Sequence, residues 1–189
     1  MKHKNIKNIA SVIAGYTFRT ALKSHKDGLM AVVQAKDILD NIFITKNSLT
    51  KIDLQEYQTR AIIQENDIVI SSRGSFRASI IKGDAKNIIA SSSVYVLRIE
   101  DQDIFPEYLA IYLNMVEGQK KIKEKMTGSV IKTILRRDLE NIEIPIPDKK
   151  MQDIVINLFQ NKQAQQKLLD RKKILINQII ESSITNYLK

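Results

Sequence analysis

The sequence predicts an α+β protein, with a globular domain of mixed strands over residues 1–148 and one long α-helix over residues 149–189. Two observations predict this division. Short β-branched runs separated by polar turns fill the first part. The second part contains no glycine or proline and repeats apolar residues at helical spacing. A composition of 43% hydrophobic and 27% charged residues is typical of a globular chain.

Strands are predicted at 29–33, 42–44, 68–70 and 93–99, because each is a short apolar run bounded by turn residues. The strand at 68–70 leads into a polar loop whose Gly74 suits a tight turn.

A helix is predicted to begin at Pro106, which suits a first helical turn. Gly118 is the expected interruption of this helix. Alternating isoleucines between 142 and 146 indicate an edge strand that closes the domain. The apolar face of the helix is expected to hold Leu109, Tyr112, Leu113 and Val116.

Asp148 is the predicted N-cap of the long helix. From Met151 to Leu188 this helix would measure about 57 Å, which exceeds the width of a domain of this size. Its apolar stripe therefore needs a partner helix, or else part of the helix folds back on its own domain. The polar segment 161–166 is either a bend or a place where polar contacts fix the register. The candidate pairing residues are Leu158, Leu169, Ile176 and Ile179.

Composition excludes several kinds of chemistry. The chain has no cysteine, which excludes disulfides and thiolate zinc sites, and only two histidines, so no metal and no cofactor is expected. The sequence lacks a phosphate-binding glycine motif and a convincing nucleophile–base pair, which argues against an enzyme, although a scattered active site stays an alternative. It also lacks a long apolar run and a signal-peptide core, so a cytoplasmic location without membrane contact is expected.

Lysine and arginine total 30 against 21 acidic residues, a net charge of +9. Such a charge favours polyanions, because basic side chains displace the counterions of phosphates. The excess is spread along the chain, so charge alone does not separate a nucleic-acid-binding protein from an ordinary basic one.

Several segments, in the same order, resemble the specificity subunit of type I restriction–modification systems. Residues 15–19 (GYTFR) are similar to an early glycine–aromatic segment of that family. Residues 66–74 (NDIVISSRG) are similar to its glycine–aspartate strand and loop, with Asn66 in place of the usual glycine. Residues 139–147 (LENIEIPIP) resemble its exit from the domain, and Gln152 matches the glutamine of the helix that follows.

The resemblance implies a target-recognition domain and an antiparallel coiled coil of helices that acts as a spacer. Standard members carry two recognition domains and two helices, so this sequence is expected to be a half-size, non-catalytic subunit that dimerises with itself. The implied partners are double-stranded DNA with a split, palindromic target and DNA adenine methyltransferase subunits. Whether a restriction (translocase and nuclease) subunit joins is left open. A helical protein-interaction adaptor with incidental basic charge is the alternative function.

Under this resemblance, loops that follow strands or glycines hold the candidate DNA contacts. Arginines beside a turn after a buried strand can present a bidentate guanidinium to guanine. Lysine after Gly128 is expected to contact phosphate, and a solvated loop is the alternative in each case. Lys120 and its neighbouring lysines are interpreted mainly as a solvated helix face. The candidate DNA-binding residues are Tyr16, Arg19, Arg73, Ser75, Arg77, Ser92, Ser129, Lys132 and Arg136.

Overall fold

The computed structural model describes residues 2–39, 42–53, 60–128 and 130–188. Contacts between Cα atoms divide the chain into two compact units, Met1–Gln152 and Asp153–Lys189, and each is described by itself. Mixed strands and one long terminal helix are both present, so the predicted α+β class is confirmed.

The strands of the described residues all lie in the first unit. In chain order they are β1 (Lys2–Asn5), β2 (Ala10–Ala14), β3 (Met30–Val33), β4 (Phe43–Ile44), β5 (Thr50–Ile52), β6 (Ile68–Ser71), β7 (Ala78–Ile81), β8 (Ile88–Ala90), β9 (Val94–Ile99) and β10 (Glu143–Ile146). The helices are α1 (Pro106–Asn114), α2 (Val116–Glu124), α3 (Arg136–Glu140) and α4 (Lys149–Tyr187).

These strands form a five-stranded sheet in the order β2-β9-β6-β7-β4, a three-stranded sheet in the order β5-β3-β8, and the pair β1-β10. In the larger sheet β6 is antiparallel to both β7 and β9, whereas β4 is parallel to β7. In the smaller sheet β3 is parallel to β8 and antiparallel to β5. The four strands predicted from apolar runs are all present, with ends shifted by a residue at most.

The main core lies between the two larger sheets, because alternate residues of a strand face the same side. Val69 and Val96 of the five-stranded sheet share one buried cluster with Val33 and Ile88 of the three-stranded sheet. A second cluster, which includes Met30, covers the opposite face of the three-stranded sheet. Burial on both faces explains why β3 and β8 are continuously apolar rather than alternating.

The helix predicted from Pro106 is confirmed, and the proline occupies its first turn. The predicted interruption at Gly118 is wrong. The chain breaks at Met115, whose ψ of 163° is extended, and Val116 begins α2 with 82% of its surface exposed. Gly118 is buried inside α2, where a Cβ would collide with the carbonyl oxygen of Tyr112. This glycine therefore permits the close approach of two helices.

Asn66 has a φ of 66°, in the left-handed region that glycine prefers and asparagine tolerates better than most residues. This conformation explains how asparagine can stand where the resembling family usually has glycine. It also forms the turn that leads into β6.

The predicted start of the long helix is confirmed: the Oδ1 atom of Asp148 accepts a hydrogen bond of 2.8 Å from the backbone N–H of Met151. The helix α4 continues through 161–166 without a break in its assignment. In the described parts of the chain, no helix combines the length and apolar character needed to cross a lipid bilayer.

Candidate nucleic-acid interface

Three segments that are distant in sequence meet at one end of β6. They are the β6 loop (residues 71–77), the serine turn (residues 91–93) and the Gly128 hairpin (residues 127–133). The backbone N–H of Ser72 donates to the carbonyl oxygen of Ser93 over 2.8 Å. The carbonyl oxygen of Ser72 accepts from the N–H of Ile134 over 3.0 Å. A single residue of the β6 loop therefore joins the serine turn to the residue that directly follows the Gly128 hairpin.

The Gly128 hairpin is closed by two backbone hydrogen bonds. Thr127 and Thr133 donate to each other's carbonyl oxygens, each over 2.9 Å. Gly128 has a φ of 95°, and a Cβ there would collide with the carbonyl oxygen of Ile131. Only glycine fits this position without strain.

The hairpin docks on the β6 loop through the backbone. The N–H of Gly74 donates to the carbonyl oxygen of Lys132 over 3.2 Å, and Arg73 forms a β-bridge with Thr133. Arg73 and Lys132 are therefore held next to each other, and both side chains are exposed. This contact brings two of the predicted DNA-binding residues together.

The positive charges of Arg73 and Arg136 both act on Tyr95, which lies on β9. Its hydroxyl donates to the carbonyl oxygen of Ile134 over 3.2 Å. Burial raises the pKa of Tyr95, and a backbone hydrogen bond from Arg136 and the positive charges of Arg136 and Arg73 oppose that rise.

The early aromatic segment approaches the same region. The N–H of Tyr16 donates to the carbonyl oxygen of Ala90 over 2.7 Å, beside the serine turn. The ring centroids of Tyr16 and Phe18 are 4.9 Å apart in an edge-on arrangement. Both rings are partly buried and pack against the second core cluster.

The predicted DNA-binding residues differ in their exposure and in the partners of their side chains. Arg77 is half-buried, and its guanidinium donates to the carbonyl oxygen of Asn114 at the end of α1 over 3.4 Å. Arg136 pairs with Glu140 one helical turn later over 2.7 Å. Tyr16 is half-buried, and Ser129 lies outside the described residues. The exposed members of the set are Arg19, Arg73, Ser75, Ser92, Lys132 and Arg136.

Sequence reasoning missed two features of this surface. Tyr95 was part of a predicted strand, and the two-residue period of that strand sets it on the face opposite Val94 and Val96, which is the signal that could have found it. Val130 and Ile131 in the Gly128 hairpin expose 93% and 63% of their surface. Among the described residues, no group of three or more histidines or carboxylates is arranged to hold a metal ion.

The mixed sheets, the basic loops gathered at one end and the long terminal helix define a domain suited to a polyanionic ligand. A sequence profile described as "Type I restriction modification DNA specificity domain" matches residues 1–185, and the chain belongs to this family. The resemblance found in the sequence is thereby confirmed. No curated protein matches the sequence significantly.

Solved structures show the same fold. The HsdS subunit from Thermoanaerobacter tengcongensis is 18% identical, with a TM-score of 0.61, over 90% of this chain and 39% of that one. The type I S subunit from M. genitalium is 18% identical, with a TM-score of 0.56, over 83% and 37%.

A third structure, titled for the complex assembly and conformational transition of the type I R-M system, is 16% identical, with a TM-score of 0.66, over 90% and 40%. This chain thus spans about two fifths of each of these relatives.

Proposed function

We propose that this chain is a non-catalytic unit that recognises one half of a split DNA target and directs methyltransferase subunits to it. The observation that supports this most is the meeting of the β6 loop, the serine turn and the Gly128 hairpin. It gathers exposed Arg73, Lys132 and Arg136 at one end of a domain of the DNA specificity family. Residues 1–148 are the proposed recognition domain and residues 149–189 the proposed pairing and spacer helix.

The three cations have different proposed roles. The backbone of Arg73 is held by its bridge to Thr133, so its guanidinium starts from a fixed base and can make a bidentate contact to guanine. Lys132 extends from an exposed hairpin and suits phosphate, which requires charge rather than shape. Arg136 is partly neutralised by Glu140 and is assigned to phosphate as well.

The other candidates have supporting roles in this proposal. Exposed Ser75 and Ser92 lie on the β6 loop and the serine turn, and exposed Arg19 follows Tyr16 by three residues; all three can contact DNA directly in this proposal. Tyr16 and Arg77 are half-buried, and we assign them to positioning the loops as much as to contact. Ser129 stays a prediction from the sequence.

A second copy of this chain is the proposed partner of α4. Leu158, Leu169, Ile176 and Ile179 expose between 44% and 65% of their surface. At about 100° per residue they fall within an arc of about 80° around the helix. An apolar stripe of this kind is removed from water when a partner helix packs against it. An antiparallel pair would relate the two recognition domains by a two-fold axis and give two inverted half-sites.

The proposed assembly consists of two copies of this chain, double-stranded DNA and DNA adenine methyltransferase subunits. Attachment of a restriction subunit is not needed for recognition and is left open. The cytoplasmic location expected from the sequence stays a prediction.

Binding to a random-sequence duplex, measured by fluorescence anisotropy at low and high salt, separates this proposal from the protein-adaptor alternative. We expect binding whose affinity falls steeply with salt, because phosphate contacts release counterions. The double variant R73A/K132A should bind more weakly, whereas K167A on α4 should not change affinity as much. Absence of binding at low salt would favour the adaptor.

Light scattering tests the pairing helix separately. We expect a mass twice the 21.6 kDa of one chain. The variant I176E places a charge in the stripe and should give the single-chain mass, whereas K167E, on the opposite side of α4, should keep the pair. A wild-type chain that stays monomeric at high concentration would exclude pairing through α4.

A further inference from the structure

The exposed end of the Gly128 hairpin is apolar, which is unusual on a basic surface. Val130 and Ile131 expose 93% and 63% of their surface, and Lys132 follows them directly. Isolated exposed apolar residues need no explanation. Here two neighbours share one hairpin whose backbone is closed by the Thr127–Thr133 hydrogen bonds.

The position of this pair beside the cations suggests its ligand. The hairpin contacts the β6 loop through Gly74 and Arg73, so a duplex held by Arg73 and Lys132 lies within reach of Val130 and Ile131. DNA offers an apolar group on a base edge in one place, the C5-methyl of thymine in the major groove. Ligands other than DNA would not match both the apolar pair and the cations beside it.

We propose that Val130 and Ile131 are specificity-determining residues that contact the C5-methyl group of thymine in the target. This inference rests on the proposed function and names one base, thymine, that the domain would recognise. Both side chains are β-branched and stiff at χ1, so they can present a methyl-sized surface at low entropic cost. The backbone hydrogen bonds between Thr127 and Thr133, and from Gly74 to Lys132, place that surface beside the β6 loop.

An apolar wedge that unstacks neighbouring bases is the competing use of such residues. Isoleucine can act as such a wedge, but valine, the more exposed of the two here, is not a usual wedge residue, so methyl contact is the better fit for the pair. The two modes differ in what they need: methyl contact requires thymine itself, whereas a wedge requires only a deformable step.

The test begins with selection of bound duplexes from a randomised pool by the wild-type chain. Each thymine of the selected duplex is then replaced, one at a time, by deoxyuridine, which removes only the methyl group. At one position or more the wild-type affinity should fall about fourfold, the value for one buried methyl-sized group. The double variant V130S/I131S should bind the thymine and deoxyuridine duplexes equally.

Controls keep this test separate from that of the proposed function. R73A should keep the thymine preference while losing preference at another position, and thermal melting should show that V130S/I131S folds as the wild type does. The inference is overturned if no thymine is sensitive to its methyl, or if V130S/I131S keeps the preference. It is also overturned if 2-aminopurine beside the site brightens on binding, which indicates a wedge. Failure of the wild-type chain to select any sequence would instead overturn the proposed function.

Discussion

The backbone N–H of Ser72 donates to the carbonyl oxygen of Ser93 over 2.8 Å, and this bond joins the loop after β6 to the turn before β9. The Gly128 hairpin joins the same loop from its other side. The proposed recognition surface is therefore built on backbone hydrogen bonds at sheet ends. Side-chain changes on this surface should alter DNA binding without unfolding the domain.

Replacement of Arg73 by alanine should relax the sequence preference by about 10-fold to 100-fold at one base position, because a bidentate contact to guanine is lost. Replacement of Lys120, an exposed lysine of α2, should weaken binding to all sequences alike and lower the salt slope by about 1. Competition between the selected duplex and a random duplex, at several salt concentrations, measures both effects. Equal losses on the two duplexes for R73A would assign Arg73 to phosphate.

The ion pair of Asp67 with Arg98 should stabilise the domain strongly. Asp67 is 2% exposed, and it accepts from the Nε and Nη2 atoms of Arg98 over 3.0 and 2.7 Å and from the N–H of Gln64 over 2.8 Å. The variant D67N should lower the free energy of unfolding by about 3 kcal/mol, since it removes the charge of a buried carboxylate and can turn an amide NH2 group toward the partly exposed guanidinium of Arg98.

The exposed pair of Lys46 with Asp84, 3.2 Å apart, is the matched control. D84N should lower the free energy of unfolding much less than D67N does, because solvent screens that pair. Urea denaturation of the full chain measures both changes. Similar losses in D67N and D84N would contradict this account of the buried pair.

Gln152 should fix the first turn of α4. Its side chain is fully buried, accepts from the N–H of Phe105 over 2.9 Å, and donates to the carbonyl oxygens of Asp103 and Pro147 over 2.8 and 2.9 Å. The variant Q152L should lower the free energy of unfolding by about 3 kcal/mol, because the buried amide makes three hydrogen bonds to the backbone and all three are lost. Q166L, which removes an exposed contact to Asp170, should cost less than about 0.5 kcal/mol. An unchanged urea midpoint for Q152L would contradict this role.

Because of Tyr108, the free energy of unfolding should fall as the pH rises into the alkaline range. Burial, and more weakly the neighbouring Tyr112, raises the pKa of Tyr108 to about 12, and its hydroxyl donates to the carbonyl oxygen of Pro145 over 2.8 Å. The pKa of an unfolded tyrosine is about 10. The folded state therefore holds its proton more tightly, and the resulting stability is present below pH 10 and is lost between pH 10 and 12.

The slope of that loss should reach about 1.4 kcal/mol per pH unit. Y108F cannot titrate at this position, so its free energy of unfolding should fall less steeply over the same range. Urea denaturation of both proteins at several pH values between 9 and 12 isolates the difference. Parallel profiles would show that Tyr108 does not titrate in this way.

The sequence allowed good prediction of features that depend on local chemistry. The strand at 68–70 followed from its β-branched run, and the cap at Asp148 followed from its place before a stretch without glycine or proline. The role of Gly118 could not be predicted from its neighbours in the sequence. This glycine is required because the carbonyl oxygen of Tyr112, in another helix, lies where a Cβ would be. A glycine inside a helix looks the same in sequence whether it breaks the helix or lets a neighbour approach.

The candidate interface was predictable residue by residue but not as a surface. The turn residues after β6 pointed to Arg73. Gly128, which precedes Lys132 in the chain, pointed to Lys132. Their proximity depends on the bridge between Arg73 and Thr133, which joins segments far apart in the chain. The bond from Arg77 to the carbonyl oxygen of Asn114 is equally long-range, so no local feature of the sequence ranks Arg77 below Arg73.

Methylation mapping tests the central claim most directly. Genomic adenine methylation would be sequenced in cells that express this chain together with a type I methyltransferase subunit, and compared with cells that express the methyltransferase subunit alone. The account predicts one new motif made of two identical half-sites in inverted orientation, separated by a gap of constant length. Absence of a new motif would contradict the proposed recognition, and a motif with two different halves would contradict pairing of two identical copies through α4.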